Sequence, residues 1–366
     1  MSKAADLANL IGNINAGGGG VNRNVIINGA MNVAQRGTSS TGLGASDGYF
    51  TVDRYKLFFG GSTAGRLTMT QDSSAPSGFA NSTKLDCTTA DTSIAAGEFL
   101  IFRQSIEGKN LQAFAKGTSD AKPFAVSFYV KGNASATYVC ELEDVDNLRT
   151  VSKTFNVTTD WTRVELSFPA DTTGTFDDDN AASLVLNIWL HAGSTWSSGT
   201  LNSSAFASTT NANRAVGISS FFDSTDRTFF ITGVQLEVGQ NPSSFEHEPF
   251  ERTLAKCQRY FNTVRSGLIG ECMNTSGTCF WWWDLPVVMR ATPSISCTTT
   301  SYRYGDMISI GVTMTSITVN NSGYRSDRTG AWYVSGTNSA TPVQYRVQLL
   351  EPTTTGHGNF ELSAEL

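Results

Sequence analysis

Charge is what this 366-residue sequence has least of: Asp, Glu, Lys and Arg make up 16% of it, where about 25% is usual. Its 26 basic and 32 acidic residues leave a net charge of −6. So few Glu and Lys cannot lace long exposed helices with ion pairs. No run of Lys or Arg gathers the cations that phosphate neutralisation needs, which excludes nucleic acid as a partner. The three histidines (His191, His247 and His357) belong to no HExxH- or CxxC-like metal pattern. GxSxG, P-loop and GxGxxG motifs are missing, so no catalytic residue is assigned and the expectation is a protein that is not an enzyme. Six cysteines are too sparse for a disulfide scaffold and read as core thiols of a chain folded in a reducing cytoplasm. Cys272 and Cys279, seven apart with no His near, read the same way. No apolar stretch approaches the roughly 18 residues of a membrane span, and Met1–Asp6 carries no apolar signal region.

What is abundant is hydroxyl and glycine: Ser and Thr number 84 and Gly 34. With Val, Ile, Phe, Tyr and Trp between Gly/Ser turns, this composition predicts a mainly β protein. Over 22–248 the period is two. Phe124, Val126, Phe128 and Val130 alternate with Ala125, Ser127, Tyr129 and Lys131. Val164, Leu166 and Phe168 repeat the pattern, as do Thr232, Val234, Leu236 and Val238. Leu184, Leu186, Ile188 and Leu190 form one face of a further strand; Val185, Asn187, Trp189 and His191 form the other. About ten strands predict a two-sheet sandwich of jelly-roll type.

Two segments depart from that period. Ala4, Leu7, Ile11 and Ile14, with Leu10 beside them, trace an a/d seam two heptads long, predicting a helix over 1–16 before a Gly-rich hinge at 17–21. A helix so short needs a partner for its stripe, either another protein or copies of itself. Between 249 and 266, Leu254, Cys257, Phe261 and Val264 repeat the spacing and predict a linker helix. A second β unit follows over 267–366, with strands expected at Phe280–Leu285, Ile308–Val312, Ile317–Val319, Trp332–Val334, Val343–Leu349 and Phe360–Leu362.

Binding candidates are few. Asn187, Trp189 and His191 share a strand face, the flat ring beside hydrogen-bonding groups that a sugar platform uses; packing of that face under a loop or against a neighbouring subunit is the alternative. Trp281–Trp283 put rings on both faces of one strand, as a core or interface strand does. Tyr302, Tyr304, Tyr324, Trp332 and Tyr333, in or beside Gly/Ser/Asn-rich turns, mark the distal unit as a contact surface. Asp177, Asp178 and Asp179 could ligate calcium or simply make a turn.

Asn24–Gly37, with Asn28-Gly29-Ala30-Met31-Asn32 at its centre, and Tyr49–Tyr55 resemble the opening of many tail-fibre and receptor-binding proteins of tailed phages. Ile231–Gly239 (ITGVQLEVG), Phe245-Glu246-His247 and Cys257-Gln258-Arg259-Tyr260-Phe261 continue the resemblance. Thr173–Asn180 and Asn213–Gly217 are similar to marine and cyanobacterial phage versions, and Leu285–Pro293 and Phe360–Leu366 to the family's distal unit. The resemblance implies a jelly-roll like that of carbohydrate-binding modules, a homotrimeric fibre in the virion tail, and attachment to host polysaccharide or lipopolysaccharide through the distal domain. Such modules often hold a structural calcium between first and last strands, where Glu237 lies. Long-fibre relatives carry a large anchoring domain, so here the 1–16 helix is expected to dock into a tail adaptor or nozzle protein. Two alternatives remain open: a structural tail or capsid decoration protein, and a polysaccharide depolymerase, although the long β-helix repeats of such tailspikes are missing.

Overall fold

The computed structural model describes residues 2–15, 22–264, 268–272, 278–297, 302–306, 309–313, 318–325, 329–335, 347–352 and 360–366. They divide into two compact units, 1–253 with Leu366, and 254–365. The protein is mainly β in both.

The first unit opens with helix α1, Lys3–Asn15. Leu7 and Ile11, two members of the expected seam, are 57% and 49% exposed, while Leu10 is half-buried. Ile14 lies on the helix, and its side chain falls outside the described residues.

Twelve strands follow: β1 Ser39–Leu43, β2 Lys56–Gly60, β3 Arg66–Asp72, β4 Ser82–Thr89, β5 Phe99–Glu107, β6 Phe124–Gly132, β7 Ala136–Asp144, β8 Arg149–Val157, β9 Thr162–Phe168, β10 Ala182–Ala192, β11 Ala207–Ser208 and β12 Thr228–Val238. Four antiparallel pairs, β4 with β12, β5 with β10, β6 with β9 and β7 with β8, make one long double strip closed by the 145–148 turn. Wound on itself, that strip gives the sheets β4-β12-β6-β9 and β8-β7-β10-β5, the connectivity of a jelly roll. β3 and β1 extend the first sheet beyond β4; β2 and β11 flank the second.

Inward residues of both sheets form one core. Phe124, Val126, Phe128 and Val130 of β6 meet Leu184, Leu186, Ile188 and Leu190 of β10 in the same buried cluster. Each such side chain contributes about 1.5–3 kcal/mol when fully buried.

An extra residue enters β12 between Thr232 and Gln235. Gly233 absorbs it at φ +63°, where a Cβ would stand 2.8 Å from the Phe79 and Tyr129 rings.

Asn24–Gly37, Tyr49–Tyr55 and Ile231–Gly239 are knitted together here. Asn28 Nδ2 donates to the Val33 and Asp53 carbonyls, its Oδ1 accepts from Asn32 N and Val33 N, and Gln35 donates to the Asp53 carboxylate. Beside them Val25 N donates to Leu236 O, Val234 N to Gly29 O, and Leu236 N to Asn24 Oδ1.

Helix α3 spans Phe250–Gln258, and Phe261–Val264 is strand β13. The expected linker helix therefore ends early. Phe261 and Val264 are not on a helical seam: they pair with Ser363 and Phe360, and Phe261 is buried. Apolar spacing alone cannot separate short helix from strand, and Phe-Asn-Thr-Val favours the latter. Cys257 is also buried, and Leu254 half-buried.

In the second unit, β13 joins β22 (Phe360–Ser363) and β16 (Ser294–Cys297) in a three-stranded antiparallel sheet. The other sheet has seven strands: β14 Leu268–Cys272, β15 Thr278–Asp284, β17 Tyr302–Asp306, β18 Ser309–Thr313, β19 Thr318–Arg325, β20 Thr329–Ser335 and β21 Val347–Pro352. Their order is β18-β17-β21-β14-β15-β20-β19.

Candidate binding face

Asn187 and Trp189 share the outer face of β10, but an extra residue between Trp189 and His191 sets His191 opposite the inward-facing Leu100 and off that face; all three are buried, Trp189 to 1% exposure. The segment after β10 folds back over them. Its short helix α2, Ser194–Ser197, brings Trp196 to 5.7 Å from Trp189 and edge-on to Phe99 at 5.1 Å, with Trp196 Nε1 donating to Gly97 O. Ala215, Leu201 and Ile218 complete this second cluster. The expected sugar platform is therefore corrected: Trp189 packs under a loop. His191 pairs Nδ1 with Ser220 Oγ at 2.8 Å and holds Nε2 3.6 Å from Glu98; burial pulls its pKa below the usual value.

A buried charge network anchors the loop. Glu141, opposite Asn187 on β7, accepts from Arg214 Nε (2.8 Å), Arg214 Nη2 (2.7 Å), Trp189 Nε1 (3.0 Å) and Asn187 Nδ2 (2.9 Å). Arg214 also reaches Glu143 at 2.8 Å and lies 5.1 Å over the Trp189 ring. Burial pushes the Glu141 carboxyl upward and the guanidinium pulls it back; the four N–H donors serve the ionised form. The two carboxylates in turn raise the Arg214 pKa against the effect of its own burial.

Part of this face stays open. Lys56 (β2), Arg103 (β5), Asn187 (β10), Glu141 (β7) and Ser152 (β8) form one row across the sheet. Lys56, Phe58, Arg103 and Glu143 are half-buried, so its β2–β5 end reaches solvent. The Arg103 guanidinium lies 3.8 Å over the Phe58 ring, and its Nε is buried without an acceptor. Asn187 Nδ2 is spent on Glu141 and, at 2.7 Å, on Glu143, while its Oδ1 is buried without a donor. Arg103, Glu141 and Glu143 escaped the sequence reading. Their signal was charge at alternate positions of apolar strands, in FLIFRQSIE and ATYVCELED.

The calcium set does not assemble. Asp177 N donates to Asp146, and Asp179 Oδ1 accepts from Ala181 N in a tight turn, whereas Glu237 lies among other partners on β12. Glu237 accepts from Ser243 N (2.7 Å), Ser243 Oγ (2.8 Å) and Gln235 Nε2 (2.9 Å), and faces Arg23 Nε at 3.3 Å. These are N–H and O–H donors around a carboxylate, not the oxygen shell that calcium needs. Elsewhere, where oxygens do converge, the Lys116 ammonium fills the centre. It lies 2.5 Å from Asp144, 3.2 Å from Asp171, and 2.8 Å from each of the Thr173 and Gly174 carbonyls. Among the described residues no group of three or more His, Cys, Asp or Glu is arranged to hold a metal.

Tyr302 and Tyr304 lie on β17, Tyr324 on β19, and Trp332 and Tyr333 on β20, so these aromatics belong to strands rather than turns. Trp332 is paired with Trp281, and Tyr333 with Phe280. Their side chains fall outside the described residues.

No family model matches the chain, and no curated protein matches its sequence. Solved structures match at low similarity. The enzymatically active domain of bacteriophage CBA120 tailspike protein 4 is 12% identical, with TM-score 0.30, over 59% of this chain and 21% of that one. The family 11 carbohydrate-binding module of Clostridium thermocellum, in complex with a mixed-linked tetrasaccharide, is 12% identical at TM-score 0.27, over 57% of this chain and 98% of the module. A xylanase fragment from the same organism, complexed with xylohexaose, is 13% identical at TM-score 0.28, over 56% of this chain and 30% of that one.

Proposed function

We propose that the protein is a tail fibre that attaches a phage particle to glycans on the host surface. The observation that carries this reading is the knot between Asn24–Gly29 and β12. Two stretches resembling tail-fibre proteins, some 200 residues apart in sequence, exchange main-chain hydrogen bonds and close one jelly roll. A charge-poor, hydroxyl-rich chain suits a sugar, whose hydroxyls are read by directional hydrogen bonds. The exposed Leu7–Ile11 stripe of α1 is assigned to docking in the tail or to trimer formation, where it gains the cover it lacks in a single chain. Threefold symmetry would let three weak sites hold a particle by avidity.

The test is adsorption competition. Free protein at saturating concentration should block adsorption of the phage that carries it. A chain lacking residues 1–16 should still block adsorption but no longer join particles. No block by either protein would refute the attachment role and leave a structural decoration, and release of reducing ends from host polysaccharide would make the protein a depolymerase.

A further inference from the structure

We infer that Lys116 and Asp144 condense within the folded chain to a side-chain amide, with Asp171 as the proton carrier. The inference is independent of the glycan reading and adds a covalent modification site to the jelly roll.

Lys116, in the segment between β5 and β6, meets Asp144 at the end of β7, and both side chains are fully buried. Lys116 Nζ lies 2.5 Å from Asp144 Oδ2, which sets it against the carboxyl carbon one bond beyond. Asp171 stands 3.2 Å from the same nitrogen. The rings of Phe176 and Phe206 lie 5.2 and 5.7 Å from it. Groups held this close react without the entropic cost of an encounter.

The two oxygens of Asp144 are differently served. Oδ1 accepts from Asn147 N at 3.0 Å and from Asn147 Nδ2 at 3.1 Å, two N–H groups placed where the charge of a tetrahedral intermediate gathers. Oδ2 faces the amine, shares Asn147 Nδ2 at 3.0 Å, and is the leaving oxygen. In the step, Asp171 takes a proton from Nζ, the nitrogen bonds Asp144 Cγ, and the Cγ–Oδ2 bond breaks. Two protons pass in all from nitrogen to Oδ2 by way of Asp171, one water leaves, and Asp171 is again a carboxylate. No oxidant or reductant is needed. The one N–H left on the amide has the Thr173 and Gly174 carbonyls in reach, each now 2.8 Å from Nζ.

Burial favours the product. An ammonium and a carboxylate held out of water carry a desolvation cost, and condensation removes one charge of each sign. Asp171 keeps Arg149 as its own partner at 2.8 Å, so no charge is stranded. The bond closes the chain between 116 and 144, and tension on its ends cannot then extend β6, which lies inside that loop.

The experiment is intact-mass spectrometry of the folded full chain, with two variants. The wild type should weigh one water less than its sequence, and a tryptic digest should contain a branched peptide joining Lys116 to Asp144. Lys116→Arg keeps the cation but offers no amine, and should have its full sequence mass. Asp171→Asn, shown to be folded by its melting transition, should form the bond about a hundredfold more slowly or worse, the loss expected for a proton-transfer group. A wild type at its full sequence mass would overturn the inference. Loss of water from Lys116→Arg, or no branched peptide from the wild type, would do so as well, by placing the dehydration elsewhere. Linkage at an undiminished rate in a folded Asp171→Asn would overturn the role of Asp171.

Discussion

Replacing Arg214 by methionine isolates what the buried charge network is worth. Methionine can still fill space against Trp189 and Trp196, but Glu141 loses two donors, at 2.8 and 2.7 Å, and the one cation paired with it among the described residues. Glu141 is fully buried. Stranding a carboxylate in this way costs about 3–5 kcal/mol. For a unit of 254 residues, at about 2–4 °C per kcal/mol, the melting temperature should fall by about 6–20 °C. Calorimetry measures the fall. Amide exchange of peptides from β10 and from 193–221 locates it, since both should open together once the anchor is gone.

The cost should also depend on pH, with a definite sign. Without Arg214, burial and the neighbouring Glu143 charge outweigh the Trp189 hydrogen bond and hold the folded Glu141 pKa further above the unfolded value. The native state then binds the extra proton, so stability is retained at low pH and lost as pH rises through the folded pKa. The deficit of Arg214→Met should therefore be smaller near pH 5 than near pH 8. Adding Glu141→Gln removes the stranded charge while keeping an oxygen for Trp189 Nε1 and Asn187 Nδ2. The double variant should regain most of the loss and show no such pH slope. A single variant within about 1 kcal/mol of wild type, or two changes that simply add, would refute the idea that this charge pair holds the loop down.

Two further outcomes follow from the same kind of accounting. Lys116→Met leaves Asp144 and Asp171 facing each other without the ammonium between them, and should cost about 3–5 kcal/mol in urea unfolding. EDTA should leave the wild-type melting temperature unchanged, because nitrogen cations already serve these carboxylates. Gly233→Ala puts a Cβ 2.8 Å from two rings at φ +63°. It should lose about 1–3 kcal/mol, a cost that Phe79→Ala relieves only in part because the backbone strain remains.

The sequence exposes period far better than cover. Alternation in 124–130 and 184–189 assigns faces correctly, because an inward apolar row and an outward mixed row differ at every second residue, and it fails at His191, where an extra residue shifts the register of β10. It cannot say what lies on the outward row of β10. The loop that buries Trp189 is Ser-, Thr- and Asn-rich and has no period of its own; it holds by one tryptophan, one arginine and main-chain bonds such as Ala215 N to Trp196 O. The linker helix is over-extended for a related reason. Apolar spacing continues through Phe261 and Val264 while the backbone turns at 259–260. The acidic run likewise carries no sign of its distance from Glu237, which is set by winding the strip and not by spacing along the chain.

Glu141, Asn187 and Arg103 show how polar satisfaction changes along one row of the sheet. From β7 to β5 the side chains pass from fully satisfied to unsatisfied: Glu141 has four donors, Asn187 has two acceptors and an idle oxygen, and Arg103 has only a ring beneath it. Glu141 and Asn187 are both fully buried, and Arg103, toward β2, is half-buried. The loop anchored by Arg214 fixes Asn187 through Glu141 and Glu143. Loosening that anchor in Arg214→Met should therefore speed amide exchange at Asn187 together with the loop above it.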